Sequence, residues 1–209
     1  MKITLYGATG QAGSRILEEL LSRGHHVTAV VRDPATLASR ANLTVVKGDV
    51  NDAAGIAIAA KGADALVSAY GPGPARPELL IPATQKLLAG AKASGVPRFI
   101  YVGGAGTLEV APGLTLIASG HLPNEWMGIA VAHADALTLA RESDVNWTCV
   151  SPSAFFEAGI RTGKFRLAKD TLLVDDKQKS RISFEDLAVA LVDELEKQQY
   201  ERERFTVGY

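Results

Sequence analysis

Apolar runs and helical patterns alternate from one end of the chain to the other. Ile3 to Tyr6 reads as a strand. From Gln11 to Arg23, Ala12, Ile16 and Leu20, with Leu17 and Leu21, recur at a spacing of four, and Gly24 stops the helix they predict. His26 to Val31 and Leu43 to Val46 are β-branched, apolar strands. Asn51 or Asp52 is placed to cap a short helix running to Ala60. A strand at Ala65 to Ala69 precedes a helix from Glu78 to Ser94, ended by Gly95 before Pro97. Phe99 to Val102 (strand), Asn124 to Glu142 (helix), Val145 to Val150 (strand), Ser183 to Lys197 (helix) and Phe205 to Val207 (strand) complete the series. Strands that are apolar throughout, instead of alternating, are buried on both faces, as in a parallel sheet covered by helices on each side. The repeated β-then-α order predicts a doubly wound α/β fold of the Rossmann type, in one domain over residues 1–209. The irregular stretches Gly71 to Pro77, Gly103 to Pro123 and Pro152 to Ser180 all follow strands. Ligands of such sheets sit beyond the strand carboxyl ends, so these stretches are the expected walls of a site and of a small substrate lobe.

Composition narrows the class. The chain has 209 residues, 47% hydrophobic, with a formal net charge of −1. That is enough for a sizeable core and gives no overall field to draw nucleic acid or an anionic membrane. The one cysteine, Cys149, lies in an apolar run and reads as a buried strand residue, without disulfide or zinc-site chemistry. No basic segment followed by an apolar one opens the chain, and no stretch reaches a membrane span, so the expectation is a cytoplasmic protein; the sequence leaves monomer and homodimer both open. No metal-ligand cluster, phosphate-loop lysine or Ser-His-Asp signature is apparent, and no metal is expected.

The opening GATGQAG carries the first chemistry. Gly7, Gly10 and Gly13 are spaced by three, directly after a strand and at the start of a helix, the context a dinucleotide loop needs. Gly7 permits the tight turn, Gly10 bares the backbone to a pyrophosphate, and Gly13 lets helix and sheet pack closely. The free N–H groups near Gln11 and Ala12 then face phosphate. The second strand ends in Arg32-Asp33-Pro34. NAD-preferring folds place an acid at this tip; Arg32 instead suits the 2′-phosphate of NADP(H), or is a solvated loop charge. Asp33 leaves NAD(H) open. Asp49 is placed to accept from an adenine amino group beside Val50, or to cap the next helix, and Ser68, Ala69 and Tyr70 end the fourth strand with small residues against the cofactor's middle.

Together GATGQAG, VRDP, GDV and YVGGAG resemble the atypical short-chain dehydrogenases, in their NAD(P)H-binding, NmrA-like branch. GGAGTLEVAPG, NWTCVSPSAFF, GIRTGKFRL and RFTVGY resemble the small bacterial NADH-flavin reductases, relatives of the biliverdin/flavin reductases. The resemblance spans nearly the whole chain. It implies a pyrophosphate site at Gly7, Thr9, Gly10, Gln11, Ala12 and Gly13, with Arg32 on the 2′-phosphate and Asp49 and Val50 at adenine. It also implies that Ser68 to Tyr70 and Val102, Gly103 and Gly104 line ribose and nicotinamide, with Ser151, Pro152 and Ser153 beside the nicotinamide.

The Tyr-x-x-x-Lys pair of most short-chain dehydrogenases is missing. Four residues beyond Tyr6, Tyr70, Tyr101 and Tyr200 stand Gly10, Pro74, Ala105 and Arg204, and Tyr209 is the last residue. Gly103-Gly104 also occupies the place of the usual catalytic serine. This argues against carbonyl–alcohol chemistry and fits hydride transfer to a flavin (FMN or FAD) or another planar acceptor such as a quinone, where cofactor and acceptor supply the reactivity. It fits equally a regulatory protein that only senses NADP(H). An epimerase or dehydratase is a third, weaker reading.

Acceptor-site candidates are few. Trp126 and His133 lie seven apart on one predicted helix; His133 suits a proton donor or a partner for a flavin carbonyl, or is a helix histidine bonded to the backbone. Phe155 and Phe156 offer an apolar platform, or divide between core and surface. Arg161, with Thr162, Gly163 and Lys164, suits an FMN phosphate, or forms a surface salt bridge.

Overall fold

The computed structural model describes residues 1–209. In chain order the elements are β1 (Lys2–Tyr6), α1 (Gln11–Ser22), β2 (His26–Val31), β3 (Leu43–Lys47), α2 (Ala53–Ala60), β4 (Ala65–Ser68), α3 (Leu80–Ser94) and β5 (Phe99–Val102). There follow β6 (Glu109–Ala111), β7 (Leu114–Thr115), α4 (Asn124–Glu142), β8 (Trp147–Pro152), β9 (Phe155–Glu157), β10 (Arg166–Ala168), β11 (Arg181–Ser183), α5 (Phe184–Lys197) and β12 (Glu203–Gly208). Eight strands form one sheet in the order β3-β2-β1-β4-β5-β8-β12-β10, parallel except for the edge strand β10, which runs antiparallel to β12.

Alternation along buried strands decides which helices cover which face. Ile3, Leu5, Val27, Val67, Ile100, Val150 and Phe205 point to one side, where Ile16 and Leu20 of α1 and Leu187, Leu191 and Leu195 of α5 close over them. Tyr6, Val30, Leu66, Phe99, Tyr101, Trp147 and Cys149 point to the other, under Ile56 of α2, Leu87 of α3 and Leu137 of α4. Cys149 is buried, as its neighbours in sequence predict.

At the amino edge of the sheet one ion pair is fully enclosed. Arg98, just before β5, donates to the Glu194 carboxylate at 2.7 Å, to the Glu194 carbonyl at 3.1 Å and to Thr148 Oγ1 at 2.9 Å. Glu194 also accepts from the Gln199 and Tyr200 N–H groups at 3.0 Å each. This fixes α5 to the sheet at the end opposite the glycine loop.

The stretches without helical or strand periodicity contain short strands of their own. β6 and β7 form a hairpin, Glu109 bridges to Thr171, and β9 runs parallel to β11 outside the main sheet. Every peptide bond is trans, including the one before Pro152. No helix is long and apolar enough to cross a membrane.

Candidate functional site

Because the strands are parallel, the segments after β1 to β5 and the end of β8 gather at one edge. The strand order reverses beside β1: the chain runs outward through β2 and β3, then returns to β4 on the other side. Crevices form at such a reversal. Here its walls are tight. Gly7 has φ +82°, and a Cβ on it would lie 2.7 Å from the Ala69 carbonyl carbon and 2.9 Å from the Tyr70 nitrogen. A Cβ on Gly13 would overlap the Gly7 carbonyl. These two glycines are required by the protein's own backbone.

Gly10 is different. Its backbone is extended (φ −78°, ψ 172°), it is exposed, and an added Cβ would meet only the Gly7 oxygen, at 3.3 Å. It caps α1 without a side-chain bond. The N–H groups of Gln11, Ala12 and Gly13 have no carbonyl four residues back within the helix, and they stand at its positive end. A side-chain-free cap in front of unpaired N–H groups fits a pyrophosphate. Thr9 and Gln11 are exposed at its rim.

The adenosine end also fits. Arg32 is exposed and forms no ion pair or hydrogen bond with the protein; Asp33 is occupied in capping the following turn through Ala35 N–H at 3.0 Å. One Asp49 oxygen takes both the Asn51 N–H at 2.8 Å and the Asn51 side-chain amide at 2.9 Å. Its second oxygen is free, and Asp52, not Asp49, is the cap of α2. Val50 is buried beneath. Tyr70 ties these groups together: burial raises its phenol pKa, Asp49 raises it further, and Arg32 and Arg76 pull it back. The Ser68 hydroxyl accepts from the Tyr70 N–H at 3.3 Å.

At the other end, after β5, the backbone is bare for reasons internal to the fold. A Cβ on Gly103 would strike Cys149 Sγ, and one on Gly104 would lie 2.9 to 3.1 Å from Cβ, Cγ and Cδ2 of His133. His133 therefore fills the space a larger residue would take at Gly104. Burial pushes its pKa down to about 4. At neutral pH it is an uncharged imidazole that offers a hydrogen bond; it is not a ready source of protons.

Several expected residues are placed otherwise. Ser153 turns its hydroxyl inward, to the Val207 carbonyl at 3.0 Å, and Ser151 faces Cys149 Sγ at 3.8 Å. Both, like Pro152, are buried, because β8 is enclosed on each face, so only their backbone can meet a cofactor. Phe155 and Phe156 divide as adjacent strand residues do: Phe155 is 62% exposed, while Phe156 packs on the core and edge-on to Phe184 with centroids 4.5 Å apart. Arg161 is committed to Glu19 of α1 through two bonds of 2.8 Å, which hold the Glu19 carboxyl below its usual range. Of its two readings, the salt bridge is the one formed. Trp126 is half-exposed on the first turn of α4.

Sequence reasoning missed Asp186. It is fully buried in the first turn of α5 and takes hydrogen bonds from Thr162 N–H, Thr162 Oγ1, Gly163 N–H and Tyr209 OH, at 2.8, 2.5, 2.8 and 2.8 Å. A Ser-x-x-Asp pattern at Ser183 was the available signal. No group of three or more His, Cys, Asp or Glu side chains is arranged to hold a metal.

Solved structures of the same shape carry divergent names. A "putative exported protein" of Burkholderia pseudomallei is 42% identical with a TM-score of 0.92, each chain covered in full. A "putative epimerase" of Bacteroides thetaiotaomicron is 42% identical with a TM-score of 0.93, over 100% of this chain and 96% of that one. A "putative NADH-flavin reductase" of Streptococcus pneumoniae is 34% identical with a TM-score of 0.88, over 100% and 99%. The cradle at the carboxyl edge has the features a nicotinamide dinucleotide needs, and the model of one family matches residues 7–198: the chain belongs to the NAD(P)H-binding family.

Proposed function

We propose that the protein is an NAD(P)H-dependent reductase that passes hydride to a flavin, or to a similar planar acceptor such as a quinone, with NADP(H) preferred over NAD(H). The observation that carries this reading is the floor after β5: Gly103 and Gly104 without side chains, and His133 held uncharged. The phenols beside it, Tyr70 and Tyr101, both have a pKa raised by burial and no lysine next to them, so no Tyr–Lys pair is formed to protonate an alkoxide. Bound reduced nicotinamide would supply a hydride from C4, and a flavin would take it at N5 while water provides the proton. Gly10 and the N–H groups of Gln11 to Gly13 hold the pyrophosphate, Arg32 the 2′-phosphate, and Asp49 the adenine amino group. The Gly103-Gly104 backbone lets the rings approach, and the uncharged His133 offers its N–H to the bound partners. The "NADH-flavin reductase" name of the Streptococcus pneumoniae neighbour supports this choice, while the "epimerase" name of the Bacteroides neighbour lacks a matching acid–base pair here. The reading places the protein in the cytoplasm with the cell's reduced nicotinamide; the Burkholderia neighbour's "exported" name makes fractionation a direct check.

The test is NADPH and NADH oxidation by the purified, flavin-free protein with FMN, FAD or a simple quinone added, and a Gly10→Asp variant as control. The expected result is turnover that needs both nucleotide and acceptor and is lost in the variant. Tight NADPH binding without turnover on any acceptor would replace the reductase with an NADP(H) sensor, the reading that the same bare floor supports next.

A further inference from the structure

A second concavity of about 510 Å³ lies at the carboxyl end of β12, where Glu157, Ile160, Lys164, Arg181, Ser183 and Tyr209 contribute to its lining. Its walls are fixed. Beyond the four bonds to Asp186, Glu185 takes the Gly159 N–H at 2.9 Å and Ser183 Oγ donates to the Ile160 carbonyl at 3.2 Å. The 159–163 loop is thus held from several sides by the start of α5, and the cavity is pre-formed.

Its free groups have a definite chemistry. The Lys164 ammonium has no carboxylate or hydrogen-bond partner in the protein. Arg181 lies over the Tyr209 ring, 5.8 Å from its centroid, and binds Asp175 through Nε alone at 3.0 Å, so both terminal nitrogens are available. Ala158 and Ile160 also line the cavity, and neither main-chain N–H has a partner in the protein. Cations and N–H groups of this kind bind phosphate. Glu157, on the same lining, is an acceptor for hydroxyl donors. Phe155, an exposed aromatic ring, stands opposite Arg181 in the β9–β11 pairing. Gly208 of β12 adjoins Ser153, at the end of β8. The cavity is therefore one strand beyond the expected nicotinamide position.

We infer that this cavity takes the phosphate-bearing polyol tail of the acceptor, with Lys164 and Arg181 as the phosphate ligands, Glu157 on the polyol hydroxyls and Phe155 toward the ring. This rests on the reductase reading, and it makes FMN the favoured acceptor over riboflavin, which has the same ring and polyol without the phosphate.

Two readouts separate the two ideas. Fluorescence titration measures FMN and riboflavin binding to the wild type, to Lys164→Met, to Arg181→Gln and to the double variant, and NADPH oxidation is followed with each flavin. The expected result is FMN binding at least ten-fold tighter than riboflavin, competition by inorganic phosphate against FMN only, and a ratio near one in the double variant. Lys164→Met alone, at an exposed position, reports even if Arg181→Gln perturbs the loop; it should lower the ratio several-fold. Equal wild-type affinities, or a ratio unmoved by the variants, would overturn the site. So would displacement of FMN by succinate but not by phosphate, which would mark a carboxylate site. A phosphate-dependent FMN preference without NADPH oxidation would keep the site and remove the reductase; equal turnover of both flavins would do the reverse.

Discussion

At the scale of single residues, three glycines of one loop have three different causes. Gly7 needs a positive φ, Gly13 has no room for a methyl group, and Gly10 has neither constraint. The spacing of the loop is legible in the sequence, but it cannot separate these causes. Substitution can. Gly13→Ala forces its Cβ onto the Gly7 carbonyl and should cost about 1–3 kcal/mol of stability or more. Gly10→Ala meets little and should change stability by less than about 1 kcal/mol. Its NADPH affinity should nevertheless fall about ten-fold or more, or about 1.4 kcal/mol. Urea unfolding and fluorescence titration of both variants check this. A Gly10→Ala protein that binds NADPH as the wild type does would show that the pyrophosphate lies elsewhere. Side-chain direction is the second thing single residues hide. Ser151 in β8 and Ser153 just after it lie at the carboxyl edge, yet both are buried and each hydroxyl turns inward.

At the scale of elements, the long periodic segments were readable. The helix expected from Gln11 ends at Ser22, and the one expected from Asn124 to Glu142 has those bounds. What escaped were β6, β7, β9, β10 and β11, each of two or three residues. Strands this short are defined by what they pair with, and a local pattern cannot encode a partner far along the chain. The same limit hid the pair that holds α5. Arg98 and Glu194 are 96 positions apart, 3% and 2% exposed as side chains, and nothing local announces either as buried. Glu194→Gln leaves the Arg98 charge enclosed without a counter-ion, a loss of about 3–5 kcal/mol. Differential scanning calorimetry should show a fall in melting temperature of about 6–20 °C. The pair lies at the edge of the sheet opposite the glycine loop, so NADPH affinity in the folded variant should stay within about two-fold of the wild type. A stable variant would mean that Arg98 finds another partner; a large loss of affinity would mean that α5 transmits strain to the cradle.

Across the whole molecule, the parallel sheet collects residues distant in sequence at one edge, and that much follows from the β-then-α order. Which charges at that edge are free is a property of the folded chain. Arg161 and Arg32 are both arginines on loops. Only the fold shows that Glu19 claims the first, while the second has no partner and, with Asp49 and Arg76, surrounds Tyr70. An unpaired arginine at the tip of β2 should make cofactor discrimination a measurable property of global stability, because a ligand that binds only the folded state stabilises it by mass action. At a hundred-fold excess over its dissociation constant, NADP⁺ should contribute about 2.7 kcal/mol. For a chain of this size that corresponds to a rise in melting temperature of about 5–10 °C. NAD⁺ at the same concentration should raise it less, by the share of binding that the 2′-phosphate supplies. Arg32→Ala should then bring the NADP⁺ shift down to the NAD⁺ shift and leave the NAD⁺ shift where it was. Thermal unfolding of both proteins with each nucleotide decides the matter. If Arg32→Ala lowers the two shifts equally, the arginine acts on a group that both nucleotides share, such as the adenine face, and the proposed preference for NADP(H) loses its basis in Arg32.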